Sequence, residues 1–75
     1  MLDDATLSDK VRSILFRDDA VPKGRINVNA ERGWIYLRGE LDSPELIQWL
    51  GTSARRIAGV RGVRNLLHTP GTPAR

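Results

Sequence analysis

Between Arg25 and Leu41 apolar and polar residues alternate through two successive stretches, and this pattern limits the fold more than any other feature of the chain. In the first stretch Ile26, Val28 and Ala30 alternate with Arg25, Asn27 and Asn29. In the second, Ile35, Leu37 and Leu41, with Gly39 in step, alternate with Trp34, Tyr36, Arg38 and Glu40. Successive side chains of a strand point to opposite faces, so both stretches predict half-buried strands. Glu31-Arg32-Gly33 supplies the turn between them, its glycine free to take positive φ. A hairpin with one core face is expected. Its other face carries an indole, a phenol and a guanidinium, groups suited to a partner that offers apolar surface beside negative charge.

The flanking segments have the helical period instead. Over residues 4 to 18, Leu7, Val11, Ile14 and Leu15 form one stripe, with Phe16 off it, and Thr6-x-x-Asp9 has the form of a capping box. Pro22 and Gly24 break that helix. Ser43 as N-cap, Pro44 at the first helical position and Glu45 in the first turn predict a second helix, with Ile47, Leu50, Ala54, Ile57 and Ala58 inward and Gly59 as its stop. Gly51 also points inward, where the absent side chain lets a neighbouring backbone approach. Val60 to His68 is a third strand, and a right-handed crossover lays it parallel to a member of the sheet. The expected fold is α+β, of order αββαβ: a three-stranded mixed sheet with two helices packed on one face and the opposite face open. Residues 1 to 68 are expected to form a single domain and TPGTPAR, 69 to 75, a flexible tail.

At 75 residues such a domain has a small core. The chain lacks cysteine and has one histidine, so neither a disulfide nor a histidine-cysteine zinc site is expected, and no cofactor is implied. There is no thiol, no glycine-rich phosphate loop and no catalytic grouping, so the chemistry expected is that of a non-enzymatic binding module. Asp3-Asp4 and Asp18-Asp19 are expected to be solvated acids flanking the first helix. The first twenty residues place five aspartates against Lys10, Arg12 and Arg17, whereas the remainder has a basic excess that is almost all arginine. Arginine grips phosphate through a planar fork and stacks on rings.

Phe16, Trp34, Tyr36 and Trp49 all fall off the predicted core stripes. Amphipathic Trp and Tyr settle at the level of lipid headgroups, and anionic headgroups accept hydrogen bonds from arginines. The candidate binding residues are accordingly Trp34, Tyr36, Arg38, Arg64 and His68 on the open face, beside Asn27 and Asn29, with Arg12, Phe16 and Trp49 on the helices as an alternative surface. The same composition serves single-strand binders, and Gly59-Val60-Arg61-Gly62 echoes a GXXG clamp, but here the glycines fall at a helix end and turn, which leaves nucleic acid as runner-up.

Residues 4 to 68 resemble the BON domain family (bacterial osmotic-shock and nodulation). The similarity rests on I26-N-V28, G33-W-I-Y-L37-R-G39 and G59-V60-R-G-V63-R-N65-L-L67, set in the αββαβ order. The resemblance implies a module without catalytic activity that associates with phospholipid membranes, found in periplasmic stress proteins, secretins and channel proteins; some members are tied to potassium sensing. Trp34 stands where the family tends to have a smaller aliphatic residue, so a lipid contact there follows from chemistry alone. The partners expected are an anionic phospholipid surface or a protein, including a second copy of this chain. There is neither an apolar run of membrane-spanning length nor a signal pattern at MLDDATLSDK, so the expectation is a cytoplasmic domain as written, periplasmic or membrane-associated if part of a longer chain.

Overall fold

The computed structural model describes residues 2–71. Helix α1 spans Asp4–Leu15, a single 3₁₀ turn covers Lys23–Arg25, strands β1 and β2 are Ile26–Glu31 and Trp34–Glu40, helix α2 is Pro44–Arg55, and strand β3 is Gly62–His68. The strands form one sheet in the order β1-β2-β3, antiparallel between β1 and β2 and parallel between β2 and β3. Helix α1 packs on β1 and α2 on β3, both on the same face. This is the expected α+β architecture.

Between them lies a core of Leu7, Val11 and Leu15 from α1, Ile26, Val28, Ile35, Leu37 and Leu67 from the sheet, and Leu50, Ala54 and Ile57 from α2 and its exit, closed by Val21 and Leu41. Each of the larger side chains contributes about 1.5–3 kcal/mol by leaving water, which is what a chain this short must rely on. Ile14 and Ile47, expected in the stripes, are only partly buried at their margins.

Helix ends differ from the expected ones for local electrostatic reasons. The N-cap of α1 is Asp3, whose carboxylate accepts the Thr6 N–H at 2.7 Å, so Thr6 is inside the helix and no capping box forms with Asp9. Asp9 instead pairs with Arg12. The Thr6 backbone N–H, and then the Thr6 side chain, hold the Asp3 carboxyl below its ordinary range. The helix stops at Leu15, three residues early. Asp18 there forms its own turn, its carboxylate accepting from Ala20 N and its carbonyl from Val21 N, which competes with continued helix. Phe16 becomes the C-cap and folds back to pack, half-buried, against the core, so it is not an outward aromatic as its helical phase suggested.

In α2, Ser43 Oγ accepts from Leu46 N at 3.1 Å and Pro44 opens the helix, as expected. The helix ends at Arg55, not at Gly59, and the segment beyond closes through short-range bonds from Ile57 N to the Ala54 carbonyl and from Val60 N to the Ile57 carbonyl. Ala58 leaves the inward stripe as a result and is exposed, its carbonyl accepting from Lys10 Nζ. Strand β3 begins at Gly62, two residues later than expected.

Gly51 faces a side chain, not a backbone. Asn65 of β3 inserts its amide where a Gly51 Cβ would stand, with Nδ2 only 2.6 Å from that position. Asn65 Nδ2 donates to the Ile47 carbonyl of α2 at 2.9 Å and its Oδ1 accepts from Leu67 N at 3.2 Å. One polar side chain thus ties helix to strand through a gap that only glycine leaves open.

Candidate functional site

The site is built by the hairpin turn and the strand register. Glu31 pairs with Trp34, which leaves Arg32 and Gly33 as a two-residue turn with φ of 52° and 88°, the positive values a type I′ hairpin requires. The non-glycine residue is held there from outside: Asp4 of α1 accepts Arg32 N–H at 2.9 Å, and Arg61 N donates to the Gly33 carbonyl at 2.7 Å. Asp3 and Asp4 are therefore structural ligands of backbone amides and not merely solvated charges.

From this turn the register sets four rows on the sheet face turned away from the helices: Glu31, Trp34 and Gly62; Asn29, Tyr36 and Arg64; Asn27, Arg38 and Leu66; then Glu40 and His68. The five open-face candidates Trp34, Tyr36, Arg38, Arg64 and His68 lie together, with Asn27 and Asn29 beside them. Gly62 explains the pose of the indole. A Cβ there would meet ring atoms of Trp34 at 2.5–2.9 Å, so the ring lies across the β3 backbone and remains 39% exposed. Tyr36 is half-buried in the next row, and beside it Asn29, Glu31 and Arg38 line a shallow depression of about 230 Å³.

Charge is graded along this face. Among the described residues no carboxylate lies within ion-pair reach of Arg38 or Arg64. Arg32 and Arg61 add cations at the turn end, where the Arg61 stem packs on Gly33. At the opposite end His68 Nε2 stands 3.3 Å from Glu40 Oε2, and Glu40 and Asp42 line a groove with Arg25. His68 is thus engaged by an acid of its own face, unlike the two arginines.

The helical candidates do not form one surface. Arg12 points to the β1 edge, where Nη2 donates to the Val28 carbonyl at 2.9 Å and Nη1 to Asp9 at 2.8 Å. Phe16 is packed on the core. Trp49, 42% exposed, lies about 200° around α2 from Gly51, the residue facing β3, and therefore points away from that strand.

Sequence reasoning missed Leu66, Arg32 and Arg61 as members of the open face and its turn end. Leu66 was legible in principle, since in the pair Leu66-Leu67 one side chain must point away from the core. Arg61 was not, because its place depends on the parallel register that sets Gly62 opposite Trp34.

The architecture is thus an αββαβ layer with one sheet face covered by helices and the other carrying aromatic and arginine side chains. A family model described as the BON domain matches residues 3–71, and the chain belongs to the BON domain family, a family of non-catalytic binding modules. A search of curated proteins finds no match to it. Among the described residues no helix is long and apolar enough to cross a membrane, and no cluster of acidic or histidine side chains could hold a metal ion.

Proposed function

We propose that the open face adheres to anionic phospholipid surfaces. The observation that carries this reading is the juxtaposition of Trp34 and Tyr36 with Arg38 and Arg64 on a face no other element covers, both guanidiniums lacking a carboxylate partner among the described residues. The rings enter the interfacial zone while the guanidiniums take headgroup phosphates, giving reversible and salt-sensitive binding. The charge gradient sets an orientation: the turn end, where Arg32 and Arg61 outnumber Glu31 beside Trp34, dips toward the lipid, and the Glu40 end stays away from it. Phosphatidylglycerol vesicles should sediment the chain and phosphatidylcholine vesicles should not. Trp34→Ala with Tyr36→Ala should abolish sedimentation; unchanged sedimentation rejects this site.

The uncovered apolar surface of Trp34, Tyr36 and Leu66 also suits a second copy of the chain. Two such faces brought together would oppose arginine to arginine, which favours lipid over self-association. A dimer mass in light scattering that falls to the monomer in the double variant, with no vesicle binding, would support self-association instead. Binding of a single-stranded oligonucleotide with a steep negative slope of log affinity against log salt would support nucleic acid.

A further inference from the structure

The two edges of the sheet are treated differently. On β1 the outward Val28 carbonyl is taken by the Arg12 guanidinium, itself already paired with Asp9. On β3 the bond from Leu41 N to the His68 carbonyl shows that even-numbered residues turn their backbone groups toward β2. By strand alternation Val63, Asn65 and Leu67 turn theirs outward. Leu67 N–H is taken by the Asn65 side chain. The N–H and C=O of Val63 and Asn65 have no partner among the described residues. Beside this edge runs a groove of about 240 Å³ between β3 and α2, lined by Gln48, Gly51, Thr52, Arg55, Val63 and Asn65.

We infer that β3 accepts an extended acidic segment of a partner protein as a fourth strand. An exposed strand edge is a template for pairing, and alternate side chains of the added strand confer selectivity through the surfaces they meet. On the helix side they enter the groove, whose one charged residue is Arg55 and which contains no acid. On the open-face side they lie next to Arg64, which has no acidic partner among the described residues. Both rows therefore select carboxylates. A second copy fits less well, because pairing β3 with its own mate would crowd like charges from Arg55 and Arg64 of both molecules. This surface shares Arg64 with the open face, but its backbone edge and its groove beside α2 do not depend on the lipid reading.

The test is a nitrogen-15 NMR titration of the whole chain with a capped peptide of valine and threonine that carries glutamates at both odd and even positions, so that each face of the strand presents carboxylates. Saturable shifts at Val63, Asn65 and Leu67 and in α2 from Gln48 to Arg55 are expected, with slowed exchange of the Val63 and Asn65 amides. Arg55→Glu, an exposed change, should weaken binding about tenfold, and a lysine counterpart of the peptide should not bind. A peptide N-methylated at alternate residues keeps its charge and loses its strand edge, so equal binding by that peptide would overturn the inference. So would shifts confined to Trp34, Tyr36 and Arg38, or no shifts at all.

Discussion

The two faces of the sheet share the same three strands and differ only in which parity of residue they take, yet they are held by different forces. On the covered face Ile35, Leu37, Val28 and Leu67 are buried beneath two helices. On the open face Trp34 and Tyr36 rest on neighbouring backbone and side chains, with neither helix above them. Burial fixes the first face, so its residues determine whether the chain folds. The second is free to be selected for what it contacts. Substitutions should therefore separate into those that cost stability and those that cost only binding.

The largest expected effect is on the covered face. Leu37 is fully buried in the central strand, and Leu37→Ala should cost about 3–5 kcal/mol, a large part of the stability of so small a domain, measured by urea denaturation. A loss below about 1 kcal/mol would mean that the two faces are less different than their burial indicates. Next is the Gly51–Asn65 contact. Gly51→Ala places a Cβ against the Asn65 amide and should destabilise by about 1–2 kcal/mol, through loss of the bond to Ile47, despite the better helix propensity of alanine. In an Asn65→Ala background the same change should become neutral or stabilising, and additivity in that double-mutant cycle would show that the two residues do not act together.

On the open face, Trp34→Ala with Tyr36→Ala should cost about 1 kcal/mol of stability, the scale of cross-strand pairs, while removing vesicle binding. A variant that unfolds instead would place these rings with the core residues and break the comparison. The smallest effect expected lies outside both faces, at Asp3. Its carboxyl is held below the ordinary value by Thr6, so the contribution to α1 is present at neutral pH and is lost as pH falls through the lowered folded value. The Thr6 amide resonance should titrate with a midpoint below that of an unperturbed aspartate, and Asp3→Asn should remove that step.

How far the site was legible depended on the range of the contacts behind it. Trp34, Tyr36 and Arg38 could be placed outward from alternation in one strand, because the period of a strand is local. Arg64 and His68 required the parallel crossover as well, which the helix between the strands implies. What could not be foreseen was how individual polar groups would be used. Asp4 reaches the hairpin turn 28 positions away, Arg12 the carbonyl of Val28, and Asn65 the gap at Gly51. Phe16 illustrates the limit most simply: its outward phase assumed a helix that continued, and the turn at Asp18 ends that helix first.

The sequence by itself determined the order of elements, the hairpin, the N-cap at Ser43 and the parity that divides each strand between core and surface. These follow from interactions within a few residues and from the repeat periods of strand and helix. Tertiary structure alone decided which arginines find a partner among the described residues, and why glycine stands at positions 51 and 62. Those outcomes depend on groups far apart in the chain meeting at distances of a few ångströms, which no local periodicity encodes.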